Sequence, residues 1–269
     1  MSTLRPAASR DDSTPNHAQP EPEQAGSRSS AERLRRRRRL PPPGRAVHRC
    51  MVLAVGPEDT TAVDLRTQAF VRLRTEGAAP VSLPGTATMS GPAPPTENGG
   101  FLPFDVVDAT WADDPQRDDL AQPEAVTLCG TPTLVGRLRG RRARHLLKAL
   151  VAPPAQHLLG FPGYGAPYWE FHGMRPSVAL VVPSRGPLLF QRQADNSVWA
   201  RFGWPRIDQW LPVEDRRATA ALWASGRDRL SGRALTSALG FRPDFLLLTV
   251  TRPREGHCYK TVTALLPRP

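Results

Sequence analysis

Trp199, Arg201 and Trp210 are the side chains of this sequence best suited to holding a flat ligand. In 197–204, strand alternation puts Val198, Ala200, Phe202 and Trp204 on one face and Trp199 with Arg201 on the other. In 207–213 the apolar set is Ile207, Leu211 and Val213, which leaves Asp208 and Trp210 opposite. Trp199, Arg201 and Trp210 are therefore expected on one exposed barrel face. An indole stacks on a nucleobase for ~1–3 kcal/mol, and a guanidinium pairs with phosphate or stacks in its turn. The alternative is that these tryptophans cover a seam between two packed barrels, because large aromatics usually bury their area.

The last strand segment adds Cys258, Tyr259 and Lys260. Lys260 falls on the more apolar side, with Cys258, Val262, Ala264 and Leu266, where an ammonium needs a counter-charge or an anionic ligand. A salt bridge to Asp105, Asp215 or Glu124 is the purely structural alternative. Tyr259 projects the other way and is placed to stack or hydrogen-bond. The pair His257-Cys258 invites a nucleophile reading, with His257 or His172 as base. Adjacency along the chain, however, supplies neither the spatial geometry nor the third orienting group. Cys50 and Cys129 read as small core residues. No His/Cys/Asp spacing suits zinc and no phosphate-binding loop motif is present, so no catalytic residue, metal or cofactor is assigned. The segment 160–165 (GFPGYG) lacks a strand–helix context and reads as a packed connector.

A third group is electrostatic. Residues 136–148 hold Arg137, Arg139, Arg141, Arg142, Arg144 and Lys148 and no acid. Leu138, His145, Leu146, Leu147, Leu150 and Val151 interleave at helical spacing, so 141–151 reads as a short amphipathic helix ended by Pro153-Pro154. Its arginines face outward, either simply solvated or gripping a phosphate backbone or an acidic protein partner.

These groups need elements to carry them. The chain has 269 residues with 36 basic and 25 acidic side chains, for a formal charge of +11, and 30 prolines. No stretch approaches the ~20 apolar residues of a membrane-spanning helix, and the proline density forbids a long coiled coil. Residues 1–45 form a basic, Ser/Pro-rich tail expected to be disordered, including the run Arg35 to Arg39. Prolines follow that run where an export signal would need an apolar stretch, so a cytoplasmic location is expected. From residue 47 onward, short β segments alternate with Pro/Gly turns: 47–55, 61–73, 101–109, 126–128 and 133–138. They continue with 177–182, 188–192, 197–204 and 207–213. A helix over 215–224, whose register extends toward Leu239, precedes final strands at 244–251 and 258–266. The loop-rich segment 80–98 and the acidic segment 113–123 are read as irregular.

Four stretches together resemble the dual OB-containing domain family of bacteria. They are VLAVGPEDTTAVDLRTQAFVRLR (52–74), PFDVVDA (103–109) followed by QPE (Gln122, Pro123, Glu124), VWARFGWPRIDQWLPVED (198–215) and LLLTVTRPREGHCYKTVTALL (246–266). The chain is identified as a divergent member, with Thr61, Ala62 and Val63 where a Cys and a Gly are expected. The resemblance implies two oligonucleotide/oligosaccharide-binding (OB) barrels, with Asp105, Gln122, Pro123, Glu124, Asp215 and Cys258 as motif positions that are structural or ligand-binding.

The expectation is thus a mainly β protein with few short helices and two OB-like Greek-key β-barrels in tandem. The first spans 46–135, a basic helix and aromatic connector span 136–172, and the second spans 173–269. The expected activity is non-enzymatic binding of single-stranded nucleic acid or a nucleotide-like anion. The alternatives are docking of an acidic protein partner on the basic helix and, third, a cysteine-dependent hydrolase.

Overall fold

Residues 50–54 (CMVLA) are apolar without alternation, the pattern of a strand covered on both faces. The computed structural model shows why. Met51 and Leu53 point into one apolar cluster, with Leu147, Leu180, Leu247 and Leu266. Cys50 and Val52 point into another, with Val107, Trp111 and Leu128. The structure describes residues 44–75, 100–112, 119–171, 175–205 and 207–269. The tail therefore lies outside the described residues apart from Gly44 and Arg45, and so do Arg35 to Arg39, the segment 80–98, residues 113–118 and His172.

The described residues are mainly β, with three short α-helices. The first group of strands is β1 (Arg45–Val55), β2 (Thr60–Asp64), β3 (Ala69–Thr75), β4 (Asp105–Ala112), β5 (Ala125–Leu128) and β6 (Thr133–Arg137). They form one sheet ordered β5-β3-β2-β1-β4-β6, antiparallel except that β5 runs parallel to β3. The single strand expected over 61–73 is instead a hairpin. Asp64 breaks it, accepting the amide of Arg66 on its side chain, and Gln68 takes a left-handed φ of 56°. The sheet curls back on itself where the amide of Cys129, just past β5, donates to Thr110 of β4 at 2.7 Å.

α1 (Gly140–Leu150) follows and buries Ala143 and Leu147. Then come β7 (Gly165–Pro167), β8 (Val178–Val181), β9 (Arg185–Gln191), β10 (Val198–Gly203) and β11 (Asp208–Pro212). β13 (Phe245–Val250) and β14 (His257–Leu266) close the chain. Two four-stranded sheets result, β11-β10-β9-β12 and β7-β14-β13-β8, where β12 is Arg229–Ser231. A parallel bridge from Val213 to Val262, with Glu214 N donating to Val262 O at 2.9 Å, joins the end of β11 to β14.

The helix expected to run from 215 toward Leu239 is two helices, α2 (Arg216–Ala224) and α3 (Gly232–Leu239), separated by β12. Gly226 takes φ +61° at the break, a conformation that residues with a Cβ resist. Asp215 caps α2, its carboxylate accepting from the amides of Arg217 and Ala218, and it also accepts from Leu265 N of β14 at 2.8 Å. A motif aspartate thus ties helix to strand.

Residues 44–269 belong to one compact unit. Polar ties as well as the apolar cluster around Met51 and Leu247 join its earlier and later strands. Gln122 Nε2 donates to Val250 O at 2.7 Å, and the Glu124 carboxylate accepts from Ser177 N at 3.0 Å and from its hydroxyl. Asp105 is local instead, accepting Leu102 N at 2.8 Å and facing Arg137 at 3.8 Å. No helix among the described residues is long and apolar enough to cross a membrane.

Candidate functional site

β10 obeys its alternation. Val198, Ala200 and Phe202 are buried, and Trp199 and Arg201 project from the opposite face. Register then sets their neighbours, with Trp199 lying between Phe190 of β9 and Pro212 of β11, and Arg201 between Leu188 and Trp210. The Arg201 guanidinium carbon sits 5.0 Å from the Trp210 ring centre, and Phe190 meets Trp210 edge-on at 5.4 Å. Arg192 lies over Trp199 at 5.5 Å. Ile207, expected to point inward, is 59% exposed, because β11 begins one residue later, at Asp208.

A second aromatic group comes from β14 and the connector. Tyr259 stacks on Tyr164 at 5.6 Å and on His257 at 6.4 Å, and Trp169 meets His257 at 6.2 Å. Tyr164 also touches Trp199 edge-on at 5.6 Å, and Trp199 is the cross-strand partner of Phe190 without a ring contact between them, so the two groups line up in one row as Trp169, His257, Tyr259, Tyr164, Trp199, Phe190 and Trp210. Trp169, Tyr164 and Trp210 are 64%, 46% and 49% exposed. The close approach at its centre requires Gly165, paired opposite Tyr259, because a Cβ there would lie 2.8 Å from the Tyr259 ring.

Charge on this face is largely internal. Arg201 donates through both Nε and Nη2 to Asp208, and Arg185 reaches the same carboxylate at 3.2 Å. Arg201 is therefore held beside the Trp210 ring by a carboxylate of the neighbouring strand. Arg192 faces Asp195 at 3.8 Å, and both are half exposed.

Trp199, Arg201, Trp210 and Tyr259 are thus brought together. Lys260 is not part of the exposed row: it is buried beneath, its Nζ donating to the backbone carbonyls of Phe161 and Gly163 and lying 4.0 Å from the Phe161 ring centre. None of Asp105, Asp215 or Glu124 pairs with it. Burial pushes its ammonium down to about 8. Cys258 is also buried, and desolvation raises its thiol to about 11, away from thiolate chemistry. Among the described residues no group of three or more His, Cys, Asp or Glu side chains is arranged to hold a metal.

The basic set lies on α1 and its approach. Arg137 donates to Pro103 O at 3.0 Å, and Arg144 reaches Pro269 O at 3.5 Å. Arg139 takes the N-cap position without a side-chain hydrogen bond. Arg141, Arg142 and Lys148 are exposed and line a shallow groove with Gln68, His145, Leu146 and Ala149, with no acidic side chain among the described lining residues.

The sequence did not single out Phe190, Tyr164 or Trp169. Phe190 was within reach of alternation, since Leu189 faces inward. Tyr164 and Trp169 sit in irregular connector, where no periodicity reports the direction of a side chain. Compared with protein-family models, curated proteins and solved structures, the chain matches none.

Proposed function

We propose that this chain is a non-enzymatic, cytoplasmic module of two OB-like Greek-key barrels that binds single-stranded nucleic acid or a nucleotide-like anion across the aromatic row. The observation that carries the reading is the continuity of that row from Trp169 to Trp210, with three strongly exposed rings. Stacking platforms of this kind suit successive unpaired bases.

Strand order supports the barrel part. The first group reads β4-β1-β2-β3 in space, the Greek-key order, with β5 added parallel to β3. In the second group β13 pairs with β8, β9, β10 and β11 form a meander, and β14 is bridged in parallel to the end of β11, which is the same order once β8 and β9 are counted as one bent strand. Within that order Trp199 and Trp210 lie on the second and third strands, and His257 and Tyr259 follow the β13–β14 connection, matching the face and loop that OB barrels use for oligonucleotides, while Phe190 lies on β9 and Tyr164 and Trp169 on the connector. α1 would supply a positive field.

Intrinsic tryptophan fluorescence during titration with a short oligo-dT tests this, repeated across salt concentrations. Quenching with micromolar or tighter affinity, weakening with salt, is expected. Its absence at low salt, or indifference to salt, refutes the reading, since each neutralised phosphate steepens the slope by ~0.7 for single strands.

The second reading, a scaffold whose α1 docks an acidic protein, is favoured by the groove whose described lining carries Arg141, Arg142 and Lys148. It requires that partner capture survive nuclease treatment and be lost on charge reversal at Arg142.

A further inference from the structure

Lys260 is one of two lysines in a chain otherwise reliant on arginine for its positive charge. It is 1% exposed, and none of the ion pairs among the described residues includes it. Its ammonium is satisfied differently: two protons go to the carbonyls of Phe161 and Gly163, and the Phe161 ring covers it at 4.0 Å. Its own backbone amide donates to Tyr164 O at 2.7 Å. One residue therefore grips three carbonyls, those of Phe161, Gly163 and Tyr164, of the strap that leads into β7.

That strap has reason to need holding. Leu159, Gly160 and Gly163 have φ of 52°, 79° and 63°, so its carbonyls turn out of any regular ladder. Without a donor, the buried Phe161 carbonyl facing Nζ would go unpaired. An ammonium is a compact point charge with three divergent donors, whereas a planar guanidinium fork is wider and rigid, so arginine does not substitute there. The strap's next side chain is Tyr164, which joins the β14 rings to the β9–β11 rings by touching both Tyr259 and Trp199.

We propose that Lys260 is a positioning residue for the aromatic row, its ammonium stapling the strap 161–164 from beneath and so holding Tyr164 at the joint between the two ring groups. The proposal rests on the reading of the row as a ligand platform. It is distinct from a packing role, because what it requires is the positive charge and its donors, not volume.

The full-length chain carrying Lys260→Met keeps the stem and removes the charge. Expected is faster amide hydrogen exchange confined to 161–164 and about a tenfold weaker oligo-dT affinity, the loss of one well-placed stacking ring. Urea melting should change little, because relief from burying an ammonium and loss of its bond to the Phe161 carbonyl oppose each other. Lys260→Ala with millimolar n-butylammonium supplies the second arm: exchange protection and affinity return with n-butylammonium and not with n-butanol. Wild-type exchange and affinity in Lys260→Met, or equal rescue by n-butanol, overturn the proposal while leaving the platform reading intact. Failure of the wild-type chain to bind oligo-dT overturns the platform reading and the ligand arm with it, and exchange at 161–164 still decides whether the ammonium holds the strap.

Discussion

The guanidinium of Arg72 donates through Nη1 to the carbonyl of Val250, 2.6 Å away in space and 178 residues later in the chain. The same side chain, 4% exposed, is paired with Asp59 at 2.7 Å, so a buried charge of β3 joins the earlier strands to β13. Gln122 Nε2 meets the same Val250 carbonyl at 2.7 Å. Removing Arg72 leaves Asp59 buried without its partner, a loss that typically costs ~3–5 kcal/mol. Arg72→Met is expected to lower the urea midpoint strongly while the unfolding remains one transition, because the strands share a core through Met51 and Leu247. Two separated transitions by fluorescence and circular dichroism would contradict that coupling.

Gly165→Ala probes the centre of the row. The new methyl would lie 2.8 Å from the Tyr259 ring and 3.6 Å from Cys258 O, so the ring must move off Tyr164. Thermal melts are expected to show ~1–3 kcal/mol of destabilisation. Oligo-dT affinity should fall alongside, and a variant that binds normally would remove Tyr259 from the platform.

Asp208→Asn tests the internal neutralisation of the face. It releases Arg201 and Arg185 from their shared carboxylate. Low-salt affinity for oligo-dT should rise, and the salt slope should steepen by ~0.7 for each new phosphate contact. An unchanged slope would mean that neither arginine reaches the backbone of the ligand.

Trp210→Ala separates platform from packing. Trp210 is 49% exposed, so its loss should leave melting within ~1 kcal/mol of wild type while reducing oligo-dT affinity about tenfold or more. Trp199, more enclosed between Phe190 and Pro212, should cost stability as well.

Lys260 gives a pH prediction whose sign follows from its depressed ionisation. The unfolded chain holds the lysine proton up to about 10.5, whereas the folded chain releases it near 8. Between those values unfolding takes up a proton, so this group's contribution to stability is fully present above about 10.5 and fades as pH falls to about 8. Urea midpoints of wild type measured against Lys260→Met should therefore rise with pH across that window. A flat difference would place the ammonium in water.

Much of this was written in local pattern. The alternation of Val198 to Phe202 determined which face Trp199 and Arg201 share, because a strand's side chains reverse at every residue. The mainly β class, the basic helix and the closing strands followed from the same periodicities, and the scarcity of lysine already marked Lys260 as unusual. Other features depended on residues far apart in sequence. Nothing near Asp208 announces that it would capture Arg201, and nothing in GFPGYG shows that two of its carbonyls would converge on an ammonium about a hundred residues away. Alternation assigns a residue to a face but not to a partner. Cross-strand register, strap conformation and the closing of the two strand groups onto one core decided which rings meet, which charges cancel and which lysine is buried.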